Sequence, residues 1–192
     1  MVSKVKTLLL TMLVTLSFAL GSLSTPSSKS NMGYGEEIPH GGVICVGYNK
    51  WTPQGYVIGE QECDDATNVL TNMGRNYTIA MLSGTGATGA MTAVGVGNGT
   101  TPAATNVVLN SEITDNGLAR AAGTVTILLD ETTKNATVNK VFTYTGTAAE
   151  IVNTTALFNS TTVAGSTMFI ADSFTSRTLQ TNDQINITAW YW

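Results

Sequence analysis

The chain has 192 residues, of which 43% are hydrophobic and 11% are charged, and its formal net charge is −4. So few charges beside so many apolar residues exclude an intrinsically disordered chain. The absence of a basic run argues against a nucleic-acid partner, because phosphate contacts need clustered Lys or Arg. β-Branched Thr and Val recur together with turn-forming Gly and Asn, and this composition predicts a mainly β protein.

The N-terminus has the order of a secretory signal. Lys4 and Lys6 precede an apolar run from Leu8 to Leu20, which leads into the small-residue site Ala19-Leu20-Gly21. The run is shorter than the ~20 residues that cross a bilayer as a helix. We therefore predict a signal peptide at 1–21, an extracellular, cell-surface or virion-surface location, and no stable membrane span after its removal. An uncleaved membrane anchor is the alternative.

Residues 22–42 are rich in Ser, Thr, Pro and Gly, which predicts a linker ahead of one domain at 43–192. The domain opens with two β-rich runs separated by Thr52-Pro53-Gln54-Gly55, the pattern of a hairpin. Cys45 and Cys63 stand in these two runs. In an oxidising compartment such a pair usually joins, so we predict a disulfide; two separate buried thiols are the alternative.

The stretch from Asp64 to Leu82 carries apolar residues at close to helical spacing, and we expect one short helix near 67–82. A glycine-rich segment follows, and it includes Gly84-Thr85-Gly86-Ala87-Thr88-Gly89, which matches the GxGxxG pattern of dinucleotide sites. That fingerprint needs a strand before it and a helix after it, whereas here a predicted helix precedes it and a β-like run follows. We therefore expect a flexible connection at this place and no cofactor.

Beyond residue 118, runs of strand length alternate with turn residues, at about 119–129, 136–145, 149–158, 166–174 and 184–191. Several short strands at this spacing predict a single β-sandwich, Ig-like or jelly-roll-like. The last run alternates clearly. Ile185, Ile187, Ala189 and Tyr191 share one face, whereas the other face carries Asn186, Thr188, Trp190 and Trp192.

No set of residues forms a catalytic pattern. His40 is the only histidine and lies in a Pro-His-Gly-Gly segment, which leaves neither a nucleophile–histidine pair nor a zinc site. A hydrolase would need converging carboxylates in a pocket, which nothing in the sequence predicts, so we predict no enzymatic activity. Glu60, Glu62, Asp64 and Asp65 form a weak calcium candidate, and a solvated acidic turn is the alternative.

Six asparagines stand in the N-x-Ser/Thr pattern of glycosylation acceptors. They are Asn76, Asn98, Asn135, Asn153, Asn159 and Asn186. In a secreted protein, sugars on these residues need exposed turns or outward strand faces. Since Thr is so frequent, several such patterns arise by chance, and a glycoprotein and an unmodified protein both stay open.

Several short motifs follow one another in a distinctive order. Thr71-Asn72-Met73-Gly74-Arg75 leads to Val94-Gly95-Val96-Gly97-Asn98-Gly99-Thr100-Thr101-Pro102-Ala103, and then to Leu109, Glu112 and Arg120. The C-terminal half continues with 141–146, 165–169 and 183–188. Over about residues 65–192 this order resembles a β-rich module of tailed-phage and prophage tail structural proteins. The resemblance implies a component of a tail fibre or tail tip.

The chain departs from that module at 150–156 and at Ile170-Ala171-Asp172. Phage tail proteins also seldom carry an export signal. Viral and cellular origins therefore both stay open, and the glycosylation pattern combined with a phage-like module hints at an archaeal host or virus.

Together these features predict a secreted structural protein, a subunit or decoration of a filament, sheath or virion appendage. Its expected partners are copies of itself or other surface or virion proteins. Segment 22–44, which ends in Val43 and Ile44, is expected to add a strand to a neighbour's sheet edge. The aromatic end of the last strand gives further interface candidates, namely Trp190, Tyr191 and Trp192. The alternative is an adhesin that docks a receptor or glycan, with these aromatic rings stacked on sugars.

Overall fold

The computed structural model describes residues 42–63, 68–85, 89–129 and 134–191. The predicted signal peptide and, except for Gly42, the predicted linker lie outside these ranges. Within them the chain forms ten strands and one helix. The strands are β1 (Gly42–Thr52), β2 (Gly55–Cys63), β3 (Val69–Leu70), β4 (Ala93–Gly97), β5 (Ala121–Ala122), β6 (Thr124–Leu129), β7 (Lys134–Thr143), β8 (Glu150–Phe158), β9 (Met168–Leu179) and β10 (Gln184–Tyr191). The helix, α1 (Asn72–Ser83), stands between β3 and β4 in sequence.

The strands form two five-stranded sheets in which every hydrogen-bonded pair is antiparallel. Sheet A has the order β2-β1-β10-β7-β6, and sheet B has the order β3-β9-β8-β4-β5. This confirms the predicted mainly β sandwich with one short helix. The predicted hairpin at 43–63 is confirmed as β1 and β2.

The main core lies between the two sheets and follows from strand alternation. In β10 the side chains of Ile185, Ile187 and Ala189 are buried, as the sequence pattern predicts. Sheet B contributes residues such as Val94 and Leu157 to the same cluster. Because successive side chains in a strand point to opposite faces, the polar residues between the buried ones in β10 form the outer face of sheet A.

A second apolar layer covers the other face of sheet B. Ala93, Leu109, Ala156, Phe158, Met168 and Ala171 form a separate buried cluster there. Gly95 and Gly97 alternate with valines in β4, and a Cβ on Gly95 would lie 2.8 Å from Glu112 Oε1. The missing side chains let the segment after β4 pack directly on the sheet, which buries both faces of sheet B.

The helix begins later than the sequence pattern predicts. Val69 and Leu70 form β3 by pairing with β9, so the expected start near residue 67 is wrong. The Thr71 side chain caps α1 by accepting a hydrogen bond from Gly74 N at 2.9 Å. A Cβ on Gly74 would collide with the carbonyl oxygen of Phe169, so glycine allows the helix to pack closely on β9.

The chain passes from sheet B to sheet A at Gly123, between β5 and β6. Gly123 N donates to Thr92 O at 2.8 Å, and a Cβ here would lie 2.6 Å from Val138 Cγ1. Glycine therefore allows the crossing to fit against β7. The crossing continues into β6, which is the last strand of sheet A.

Candidate functional site

The outer face of sheet A, the face turned away from the core, carries no Asp, Glu, Lys, Arg or His at its paired positions. These residues are Val43, Cys45, Gly47, Asn49 and Trp51 of β1, Tyr56, Ile58, Gln61 and Cys63 of β2, Gln184, Asn186, Thr188 and Trp190 of β10, Thr137, Asn139, Val141 and Thr143 of β7, and Thr124 and Thr126 of β6. The nearest acid in β2 is Glu60, in the irregular stretch where the pairing with β1 shifts. The face is therefore neutral, with hydroxyl and amide groups at its centre.

Hydrogen bonds tie the polar side chains of this face to one another across the strands. Asn139 Nδ2 donates to Asn186 Oδ1 and to Thr188 Oγ1, both at 2.8 Å. One row further along, Gln184 Nε2 donates to Thr143 Oγ1 at 3.3 Å. Such bonds hold the amide groups in defined orientations, and each amide keeps further donor or acceptor capacity on its solvent side.

Aromatic rings stand at both ends of the outer face. Trp51 and Tyr56 pack edge to face with ring centroids 5.1 Å apart, and each is 41% exposed. At the other end Trp190 is 38% exposed and pairs with Val43. Trp51 lies eight residue steps along β1 from Val43, or about 26 Å at the rise of a strand. Sequence reasoning missed the Trp51–Tyr56 pair, although their places on either side of the predicted hairpin turn could have indicated it.

The edge strand β6 is the least protected edge of sheet A. In the described part of the chain, one side of β6 pairs with β7 and its other side with no strand. Its sequence, Thr-Val-Thr-Ile-Leu-Leu, contains neither a charge nor a proline. Val125 and Ile127 point to the core side of the sheet, yet Ile127 is 60% exposed because sheet B does not cover it. Edges of this kind are templates for strand addition.

The opposite edge, β2, is poorly suited to the addition of another strand. It carries Glu60 and Glu62, and its pairing with β1 shifts register between Gly47 and Asn49. Acidic residues and irregular pairing both discourage the addition of another strand. The two edges of sheet B, β3 and β5, are two residues long each. Among the strands described, β6 is therefore the edge best suited to pair with another chain.

The structure separates the predicted interface residues. Ile44 is buried in the core, and Val43 pairs with Trp190 inside sheet A. Neither residue is available as the end of a donated strand, because β1 is an interior strand of its own sheet. Trp190 is exposed on the outer face, whereas Tyr191 pairs with Gly42 at the end of β10 and Trp192 lies outside the described residues.

The predicted disulfide is confirmed. Cys45 and Cys63 are direct partners in the β1–β2 pairing, and their sulfur atoms are bonded. The bond closes the hairpin at the end opposite its turn. It therefore staples β2, an edge strand, to an interior strand of sheet A.

The acidic residues predicted as a weak calcium candidate are engaged differently. Glu62 Oε1 accepts from Thr175 N at 2.9 Å, and its Oε2 pairs with Arg177 at 3.3 Å. Glu60 is exposed, and Asp64 and Asp65 lie outside the described residues. In the described ranges no group of three or more His, Cys, Asp or Glu side chains is placed to hold a metal ion. Glu62 instead links β2 to β9 of the other sheet.

The six candidate glycosylation sites have different surroundings. Asn76 on α1 and Asn98 after β4 are exposed. Asn153 lies within β8, where its Oδ1 is buried and the following Thr154 and Thr155 are fully buried. The remaining sites are Asn135 in β7, Asn159, whose Oδ1 accepts from Thr167 N, and Asn186, whose Oδ1 accepts from Asn139.

Asp183, in the turn before β10, is a buried carboxylate with three hydrogen-bond donors. Its Oδ1 accepts from Trp51 N at 2.8 Å, and its Oδ2 accepts from Tyr48 Oη at 2.8 Å and from Gln180 N at 2.9 Å. Burial alone would raise the pKa of Asp183, but the hydrogen bonds outweigh it and hold that pKa below its ordinary value. Burial and the contact with Asp183 raise the pKa of Tyr48 to about 12. At neutral pH Asp183 is therefore ionised and Tyr48 protonated, and the hydrogen bonds that Asp183 accepts hold the β1–β2 hairpin to the β9–β10 turn.

Arg120 and Glu112, both part of the motif order noted in the sequence, form a buried ion pair. Arg120 Nε donates to Glu112 Oε1 at 2.7 Å and Nη2 to Oε2 at 2.5 Å. Arg120 Nη1 donates to Ser166 Oγ, and the guanidinium stacks on the ring of Phe158. The pair joins the segment after β4 to the β8–β9 loop. Each of the three guanidinium nitrogens donates to a protein group, so the role of this arginine in the fold is structural.

Comparison of the chain with protein-family models, with curated proteins and with solved structures finds no match in any of the three. The resemblance of residues 65–192 to phage tail proteins stays a hypothesis that rests on the sequence motifs. In the described ranges, no helix combines the length and the apolar character that crossing a bilayer requires.

Proposed function

We propose that the protein is a secreted structural subunit of an extracellular filament, sheath or virion appendage, which assembles through the free edge of β6. The observation that carries the proposal is an edge strand of six residues that has no charge, no proline and an uncovered apolar side. The composition and the predicted signal peptide support an extracellular setting. The work of such a subunit is cohesion, provided by main-chain hydrogen bonds and buried apolar side chains.

A second copy of this chain is the partner that fits β6. Two β6 strands related by a two-fold axis pair antiparallel, which is the pairing used throughout both sheets. In the register centred on Thr126, Val125 of one copy lies opposite Ile127 of the other, and directly opposite residues share a face. Because β6 carries no ionisable residue in the described range, this pairing brings no like charges together.

Pairing of this kind joins the two copies of sheet A into one ten-stranded sheet. It also covers the apolar side chains that sheet B leaves exposed at this edge. Growth from a dimer into a filament then needs a second contact elsewhere on the surface, since a two-fold contact closes on itself.

The decisive experiment measures the mass of the secreted protein in solution over a concentration series. Light scattering and sedimentation are compared for the native chain, for Ile127→Lys on β6 and for Ile58→Lys on β2. We expect the native chain to dimerise or polymerise, Ile127→Lys to weaken the association at least about 30-fold, and Ile58→Lys to behave as the native chain. The estimate takes about 1–2 kcal/mol of lost apolar burial at each of the two equivalent contacts.

The control is matched in chemistry because Ile58 is an isoleucine on the other edge of the same sheet and is 82% exposed. A native chain that stays monomeric at several hundred micromolar would refute assembly through β6. So would equal weakening by both substitutions, since that result would reflect added charge alone. Electron microscopy of the concentrated native protein then shows whether the assemblies are regular.

A further inference from the structure

We propose that the outer face of sheet A binds a neutral polysaccharide, with Trp51 and Trp190 stacking on sugar rings at its two ends and the amides between them bonding to hydroxyl groups. This inference goes beyond the assembly role of β6 and does not depend on it. The residues that would contact the polysaccharide lie in the described parts of β1, β2, β7 and β10.

The charge of the face selects a neutral ligand. The chain has 22 charged side chains (9 basic and 13 acidic), yet none occupies a paired position of the outer face. A charged ligand would lose hydration on this face and find no opposite charge in return. Sugar hydroxyl groups are neutral and act as both donors and acceptors, so the hydration that they lose on binding is replaced by hydrogen bonds to the amides and hydroxyl groups of the face.

The hydrogen-bonding groups of the face match hydroxyl groups. Asn139 uses Nδ2 for its bonds to Asn186 and Thr188, and in the described structure its Oδ1 has no protein partner. Asn186 uses only Oδ1 there, which leaves its Nδ2 to donate. An amide acceptor and an amide donor thus lie side by side on neighbouring strands, an arrangement that serves adjacent hydroxyl groups of one sugar ring.

The shape of the face selects an extended chain over a compact molecule. Gly47 lies beside Asn186 at the centre of the face, and because glycine has no side chain the surface is depressed there. The aromatic side chains of Trp51 and Trp190 stand at the ends, about 26 Å apart along β1. Amphipathic rings with one exposed face are suited to stacking on the apolar side of a sugar ring. A polymer several sugars long spans this distance, whereas a single sugar reaches only one end.

A second sheet is a poorer occupant of the same face. Sheets that pack face to face interdigitate apolar side chains over a continuous surface. The centre of the outer face consists of Asn, Gln, Thr and Gly instead, and burying these amides against another protein would cost free energy wherever one of them lost a hydrogen-bond partner.

Affinity electrophoresis in native gels tests the proposal with the full secreted chain. The gels contain dissolved hydroxyethyl cellulose, xyloglucan, mannan or dextran as neutral polymers, and alginate as an acidic one. We expect at least one neutral polymer to retard the protein and alginate not to. Trp190→Ala and the double variant Trp51→Ala/Tyr56→Ala should each weaken that retardation at least tenfold, whereas Leu82→Ala on α1, where the leucine is 84% exposed, should leave it unchanged.

A second measurement uses the unaltered protein and so avoids any question of folding. Tryptophan oxidation by N-bromosuccinimide, read by peptide mass spectrometry, should slow at Trp51 and Trp190 when the retarding polymer is present. No retardation by any of the four neutral polymers would overturn the proposal. Equal retardation by alginate, or unchanged oxidation of both tryptophans, would overturn it as well. Ile127→Lys should bind the polymer normally, which separates this inference from assembly through β6.

Discussion

Replacing Arg120 with methionine removes the positive member of a buried ion pair and tests how the segment after β4 is held to the rest of the domain. The Arg120 side chain is 2% exposed and that of Glu112 is 6% exposed. The substitution leaves the Glu112 carboxylate inside the protein with both of its arginine hydrogen bonds gone. Breaking a buried pair by removing one partner costs about 3–5 kcal/mol, because the remaining charge has lost its hydration without compensation.

For a domain of this size, a loss of about 1 kcal/mol lowers the melting temperature by about 2–4 °C. We therefore expect Arg120→Met to melt about 6–20 °C below the native chain. The comparison is made by circular dichroism and urea titration at neutral pH with the disulfide intact.

The double variant Glu112→Leu/Arg120→Met separates charge from packing. Because the double variant has no buried charge, its free energy of unfolding should be closer to that of the native chain than to that of Arg120→Met. The two single substitutions are in direct contact, so their effects should not add. A loss below about 1 kcal/mol in Arg120→Met, or additive losses in the double variant, would show that the pair does not anchor this segment.

Three further outcomes follow from the structure. The pKa of Asp183 is lowered in the folded state, so its contribution to stability is present above the unfolded pKa of about 3.9 and is lost as the pH falls through the lower folded value. Between pH 6 and pH 2.5 the urea midpoint should therefore fall less steeply for Asp183→Asn than for the native chain. Parallel curves of midpoint against pH would contradict this. Replacing both cysteines with alanine should lower the free energy of unfolding by about 3 kcal/mol, because the disulfide joins residues with a sequence separation of 18. Urea titration against the oxidised native chain measures this loss, and an unchanged midpoint would contradict it. In glycopeptide mass spectrometry of protein from a glycosylating host, we expect sugar on Asn98 or Asn76, which are exposed, and none on Asn153, whose amide oxygen and following threonines are buried; occupancy at Asn153 would contradict the placement of β8.

The sequence predicted correctly those features that depend on residues close together in the chain. Alternation in the last strand identified the buried face of β10, because Ile185, Ile187 and Ala189 repeat at the strand period. The turn at Thr52–Gly55 identified the first hairpin, and the two cysteines could be paired once that hairpin was expected. The helix was placed too early because Val69 and Leu70 fit a helical pattern as well as a strand, and only pairing with β9 decides between the two.

What the sequence by itself determined about this protein is thus its class, most of its longer strands and its covalent cross-link. Only the tertiary structure decided which strand is an edge, which tryptophans share a face, and that Ile44 lies in the core. The physical reason is that edges, faces and ion pairs such as Arg120–Glu112 are relations between residues far apart in the chain. Strand order sets these relations, and strand order depends on how two sheets pack rather than on the local preferences of either.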